Sequence, residues 1–264
     1  MRRTAATLLL TLMLTALPWG GPLCTGNEGS AKEKPALDVP YEPTSYGIAA
    51  EMLKMAKVTS EDLVYDLGCG DGRIVIMAAN ERGARGVGVD LDPERIKESR
   101  ENAQAAGVNH LVSFFEQNLF ETDISKATVV MLYLWPEVNL NLRPKLLKEL
   151  RPGTRIVSHS HSMGDWEADT TQNTEEHTLY FFIVPANVIG TWQWVWQGRP
   201  NSLTLTQKFQ KVQGSLTIRD KTFPIMNCSL KGDALLFSVD RIQRGKKEIL
   251  SFEIVMALGV KDPH

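Results

Sequence analysis

Cysteine is scarce in this chain: Cys24, Cys69 and Cys228 are the only three among 264 residues. Three cannot build the paired framework of a disulfide-stapled domain. No charge of one sign dominates either, since 29 Lys and Arg stand against 31 Asp and Glu, a formal net charge of −2. A strong field for nucleic acid or for an anionic membrane is therefore excluded. The apolar run "AATLLLTLMLTAL" at 5–17 falls short of the ~20 residues that a spanning helix needs. The dinucleotide fingerprint G-x-G-x-x-G is missing too, because Arg73 occupies its third glycine position. What is left is a chain of suitable size and composition for one or two globular domains with a real core.

Arg2 and Arg3 precede the apolar run, and Pro18, Gly20, Gly21 and Pro22 break it. That pattern reads as a secretory signal over residues 1–26. A small-x-small cleavage site is not evident, and Leu23 before Cys24 disfavours lipid attachment at that cysteine. The expectation is export to the periplasm or cell envelope. The alternative is an uncleaved membrane anchor or a misassigned start. Residues 27–40, polar and rich in Gly, Lys, Glu and Pro, read as a linker.

From residue 41 to 185 short apolar runs alternate with helical patterns. A first helix is capped by Thr44 or Ser45, with Ile48, Met52 and Met55 or Ala56 on one face. Strands are expected at 62–68, 86–91, 111–117, 127–134 and 154–160. Helices are expected over 73–83, stopped by Gly83, and from Pro93 to about Ala106, stopped by Gly107. Another is marked by Leu142, Leu146, Leu147 and Leu150, with Pro144 in its first turn. Nearly all-apolar strands between helices imply an α/β fold, a doubly wound parallel sheet covered on both faces. Residues 186–264 change texture to six strand-like runs separated by turn residues, which read as an all-β meander or half-barrel. In that segment Trp192, Trp194 and Trp196 alternate, making a core face or an exposed binding strip.

The stretch "LVYDLGCGDGRIVIMAAN" (63–80) runs from strand through a glycine turn into helix. Such a turn aims backbone N–H groups and a positive helix end at one spot, and glycine lets a ligand approach the main chain. Cys69 serves there as a small side chain. Asp66 and Asp71 flank the turn and would repel a pyrophosphate, whereas an ammonium or sulfonium would be welcome. Asp90 ends the next strand, where an acid can accept hydrogen bonds from ribose hydroxyls. S-adenosylmethionine combines an adenosine ribose, a positive sulfur and a free amino acid group, so it is the expected cofactor.

"VYDLGCGDGRIVI" followed by "GVGVDLDPERI" resembles motifs I and II of the class I, Rossmann-like S-adenosylmethionine-dependent methyltransferases. "YEPTSYGIAAEMLKMAKV" and "YLWPEVNLNLRPKLLKELRPGTRIVSHSHSMGDW" are similar to bacterial relatives of a protein-lysine methyltransferase family. That family includes mitochondrial enzymes modifying the adenine nucleotide translocase and an ATP synthase subunit. The resemblance implies that Asp66 holds the methionine ammonium and that Gly68 and Gly70, with Asp71 beside them, make room for the methionine part. It implies further that Asp90 takes the ribose and Leu91 packs on adenine. In "EQNLF", Asn118, next to Leu119, stands where the family usually has an acid that reads the adenine amino group. Tyr46 either closes over the methionine end or packs in the core.

On the acceptor side the candidates to take a proton or position a substrate are Glu137, His159, His161 and Asp165. His159 and His161, two apart at a strand end, are expected to point the same way. A third ligand for an H-x-H metal site is lacking, so no metal is expected. Trp135 and Trp166 either line the acceptor pocket or pack. "YLWPE" lacks the Asp or Asn and the double proline of nucleic-acid amino-methylating enzymes. The reading is an exported methyltransferase acting on a protein amine, lysine above all. The alternatives are a non-catalytic binding protein that uses its β-rich tail, and a small-molecule methyltransferase. Cell fractionation checks the export step: processed chain outside the cytosol is expected, and unprocessed chain within it excludes export.

Overall fold

The computed structural model describes residues 42–255 apart from 175–176, 197 and 244–245. The signal-peptide and linker readings therefore lie outside the described residues, as does the side chain of Trp196. In chain order the first elements are α1 (Tyr46–Met55), β1 (Leu63–Leu67), α2 (Arg73–Arg82), β2 (Arg85–Asp90), α3 (Pro93–Ala105) and β3 (Val112–Glu116). Then follow β4 (Val129–Leu132), α4 (Pro136–Glu149), β5 (Arg155–His159), β6 (Thr170–Asn173) and β7 (Thr178–Ile183). These strands form one seven-stranded sheet in the order β3-β2-β1-β4-β5-β7-β6. β1 to β5 run parallel, and the β6–β7 hairpin completes the edge antiparallel to β5. Strand order reverses between β1 and β4, which places a crevice at their carboxyl ends.

Local chemistry explains the boundaries. Ser45, not Thr44, caps α1 through its hydroxyl oxygen, which accepts from Ile48 N at 3.3 Å. Asp92 caps α3 ahead of Pro93, and Gly83 ends α2 in the left-handed region at φ 67°. Helix α4 begins earlier than the leucine spacing suggests. Pro136 occupies its first turn and Pro144 lies inside it, where it forgoes an interior N–H bond. The β6–β7 hairpin carries no expectation from sequence, since "TTQN" is polar and exposed on most of its length. One core packs α1, α2 and α3 against one face of the sheet; a second, including Leu142, Leu146 and Trp166, covers the other.

The remaining strands are β8 (Gly190–Trp196), β9 (Arg199–Lys208), β10 (Lys211–Ile218), β11 (Lys221–Lys231), β12 (Ala234–Gln243) and β13 (Lys246–Val255). They form an antiparallel six-stranded meander with its own core, around Leu203, Leu205, Leu235 and Phe237. Trp192 and Trp194 on edge strand β8 are 44% and 40% exposed, between the two readings offered for them. The turn after β9 docks onto the first sheet. Phe209 stacks on Trp166 at 6.0 Å, and Arg143 lies over its ring at 5.2 Å. Lys208 and Arg143 both reach Asp165, at 3.0 and 2.6 Å, and Lys211 pairs with Glu167. The turn between β11 and β12 approaches so closely that a Cβ at Gly232 would lie 3.0 Å from Gly153 Cα.

At the amino ends of the parallel strands, just before β1, Asp62 joins several elements. Its carboxylate accepts from Thr59 N at 2.8 Å, from Thr128 Oγ1 at 2.7 Å and from Arg155, whose other nitrogen donates to Ala56 O at 2.7 Å. Burial alone would raise its pKa, but the Thr128, Thr59 and Arg155 contacts outweigh that and hold it below 3.8. A depressed native pKa adds stability that is present above the unfolded value and is lost as pH falls through the native one. Asp62→Ala is expected to cost about 2–4 kcal/mol. It should also flatten the acid limb of the stability curve below pH 3.8; denaturant titration across pH measures both effects.

Candidate active site

At the carboxyl end of β1 the chain enters the glycine turn, with φ of 85°, 52° and 79° at Gly68, Gly70 and Gly72. These left-handed values explain the glycines without any ligand. Space explains them as well: a Cβ at Gly72 would sit 2.6 Å from the Phe114 ring, and one at Gly68 would sit 2.9 Å from Leu134. Gly68 N and Cys69 N donate to Val89 O, and Gly70 N donates to Asp90 Oδ2 at 2.9 Å. Asp90 Oδ1 accepts from Asp92 N at 2.9 Å. The Asp90 carboxylate is thus fixed at the end of β2, with lone pairs left over for a ligand.

Asp66 is 3% exposed, and among the described residues no donor meets its carboxylate. Burial, then the charges of Asp90 and Asp71, push its pKa well above 3.8. A buried acid without a partner fits a cation. Asp71 differs from the sequence reading. Arg73 binds it in a fork, from Nε at 2.9 and 3.1 Å and from a terminal nitrogen at 2.6 Å. That pairing neutralises the second acid of the loop, so the carboxylates left to a cationic ligand are Asp66 and Asp90. Arg73 also donates to Thr44 O at 2.9 Å, fastening the segment before α1 to the turn.

An open cleft runs along this edge. Asp66, Gly68, Gly70, Asp71, Asp90, Leu91, Leu119 and His161 line it. Tyr46 does not: it is 62% exposed and its ring lies against the Arg73 guanidinium at 5.0 Å. Nor does Asn118, whose Oδ1 accepts from Phe120 N at 2.9 Å in a local turn. The neighbouring Gln117 lines the cleft instead.

The acceptor-side candidates separate. Ser160 adopts φ 61° and His161 N donates to His159 O, so the chain turns and the two histidines do not share a side. His161 reaches the cleft. His159 is 1% exposed, with Nδ1 3.2 Å from Thr44 Oγ1 and Nε2 2.9 Å from His177 Nδ1. Burial, then His177 and His161, lower its pKa to about 4. Both ring nitrogens are engaged internally, which leaves none for a substrate. Glu137 is exposed on the first turn of α4 and lies off the cleft wall. Asp165 belongs to the junction of the two sheets, held by Arg143 and Lys208. Trp166 is fully buried in the core, whereas Trp135, 51% exposed, lines the cleft. Sequence reading passed over Glu42, Thr44, Arg73 and Tyr133 as cleft residues, although "YEPTS" and "YLWPE" already contain three of them.

A parallel sheet with this strand order, a glycine turn and an acid ending each of two neighbouring strands defines a class I S-adenosylmethionine-dependent methyltransferase. The family description "ANTKMT methyltransferase domain" matches residues 66–170. A protein-lysine N-methyltransferase of Saccharolobus islandicus (strain REY15A) is 45% identical over 151 residues, 55% of this chain and 94% of that one. A lysine N-methyltransferase of Mus musculus, named for its ATP synthase target, is 30% identical over 200 residues, 76% of this chain and 74% of that one. A solved structure described as an RNA methyltransferase from Salinibacter ruber, in complex with S-adenosyl-L-homocysteine, shares 50% identity at a TM-score of 0.55. That match covers 56% of this chain and 96% of the other. The chain belongs to the ANTKMT-related family of class I methyltransferases, and its methyl donor is S-adenosylmethionine.

Because the native pKa of Asp66 is raised, its contribution to the ligand-free fold is most favourable below 3.8 and is lost as pH rises through the native value. Asp66→Asn should therefore stabilise the ligand-free protein at neutral pH, by about 1 kcal/mol, while weakening S-adenosylmethionine binding about tenfold or more. In the wild type, cofactor affinity should fall on acidification at a pH above the usual carboxylate range. Thermal melts and calorimetric titrations across pH measure these outcomes; a destabilised Asp66→Asn protein, or undiminished binding, contradicts them.

Proposed function

We propose that this protein transfers a methyl group from S-adenosylmethionine to the side-chain amine of a lysine in a protein acceptor. The observation that carries the reading is the 45% identity to a protein-lysine N-methyltransferase over 94% of that relative's length. The near-neutral charge and "YLWPE" after β4 favour a protein over a nucleic acid. The comparisons support neither a non-catalytic binding protein nor a small-molecule methyltransferase. By our reading the chain acts outside the cytosol, on the strength of the apolar run at 5–17. Among the described residues no helix is long and apolar enough to cross a membrane.

Within that reading Asp66 takes the methionine ammonium, Gly68 and Gly70 admit the methionine part at the main chain, and Asp90 holds the ribose. Leu91 and Leu119 flank the adenine. The cofactor supplies a methyl carbon activated by its bond to a positive sulfur. The chain's task is then to align an amine in line with that bond, exclude water and let a proton leave. His161 and Trp135 line the same cleft, and by this reading they face the acceptor.

The test is incubation of the purified chain with envelope extract and methyl-labelled cofactor, followed by protease or nuclease digestion and acid hydrolysis. Label is expected in protease-sensitive material and, after hydrolysis, in methylated lysine. Label that disappears with ribonuclease, in line with the description of the Salinibacter ruber relative, overturns the lysine reading. Asp90→Ala should abolish labelling in either case.

A further inference from the structure

Strand β8 is an edge of the meander, with β9 on one side and, among the described residues, no strand on the other. Its register fixes where its side chains point. Trp192 stands opposite Leu203 and Trp194 opposite Asn201, and opposed residues of antiparallel strands share a face. Leu203 and Asn201 are buried, so the two tryptophans belong to the core face of the sheet. They are nevertheless exposed, because the sheet stops at β8. Thr191, Gln193 and Val195, on the other face, are exposed as well. With both faces open, the element that completes this strand has to lie alongside its edge and take its outward N–H and C=O groups. A ligand resting on one face would leave that backbone unpaired.

Edges are kept from pairing with other chains by charge, by proline or by shortness. The meander's other edge, β13, carries Lys246, Lys247, Glu248 and Glu253. The edges of the first sheet, β3 and β6, are five and four residues long. Strand β8 has seven residues with no charge and no proline, and the whole stretch 185–198 is uncharged. Such an edge meets its own copy without repulsion. We infer that β8 pairs antiparallel with β8 of a second copy of this chain, about a two-fold axis at Gln193. An axis normal to the sheet keeps the two core faces on one side. It sets Trp192 of each copy opposite the partner's Trp194, so two cross-strand aromatic pairs form and cover what the edge leaves bare. Seven residues a side fall short of the roughly 20–30 that a standard interface uses, so the dimer is a weak one that relies on main-chain pairing.

The full chain is examined by sedimentation equilibrium at loadings from about 1 to 100 µM. The wild type should dimerise within that range. Gln193→Lys and Gln193→Glu each set like charges across the axis at an exposed position, and each should weaken self-association about fivefold or more. An equimolar mixture of the two variants should recover wild-type association, because Lys then faces Glu. Circular dichroism should show both variants folded. A wild type that stays monomeric throughout overturns the inference. An association that Gln193→Lys leaves unchanged, as one through the apolar run at 5–17 would be, overturns it too, as does a mixture that fails to recover. A monomer whose tryptophan fluorescence shifts on neutral phosphatidylcholine vesicles gives the edge to a membrane and also overturns it. None of these outcomes depends on the methyl acceptor, so the lysine reading stands or falls separately.

Discussion

Burying the Asp66 carboxylate at the end of β1, with Asp90 beside it and no donor of its own among the described residues, sets a charge that the surrounding fold has to tolerate. Tolerance comes from the architecture. Parallel strands with largely buried runs and apolar cores on both faces supply the stability, and the crevice at the strand-order reversal takes the unfavourable group. Arg73 removes the third nearby charge by pairing with Asp71, so the cleft is acidic without being crowded. A cation entering the cleft relieves what folding imposed, which is a general way for a site to gain affinity from its own instability.

Much of this was readable before any coordinates. Hydrophobic runs bounded by Gly and Pro mark β1 to β5, and Asp92-Pro93 and Gly83 mark helix ends through local chemistry that tertiary contacts do not overrule. The glycine turn and Asp90 are legible for the same reason, since a backbone-shaped ligand site is encoded by a contiguous stretch. What sequence could not supply was direction. Period-two alternation holds only for extended backbone, and one residue, Ser160 at φ 61°, sends His159 inward and His161 into the cleft. Asn118 against Gln117 is a similar one-residue matter, decided by a local turn. The Arg73 contact to Thr44 joins segments 29 residues apart, a distance that no periodicity reports.

Asp165 shows how a plausible acid is claimed by a different task. It follows a pair of histidines at the sheet's active edge, yet Arg143 and Lys208 draw it to the docking turn of the second sheet. Phe209 between Trp166 and Arg143 makes that junction partly apolar and partly ionic. The meander is therefore seated on the same segment that leads away from His161, so its attachment and the acceptor wall share a backbone path.

The meeting of Gly232 with Gly153 bears on how the two sheets came to be joined. Ala186 N also donates to Gly232 O, so main chain touches main chain with no side chain between them. An interface registered in this way leaves little freedom for drift at either turn: even alanine would act as a wedge. Transplanting the meander onto another methyltransferase would accordingly demand a bare turn ahead of its fifth strand, a requirement that marks suitable hosts from their sequence alone.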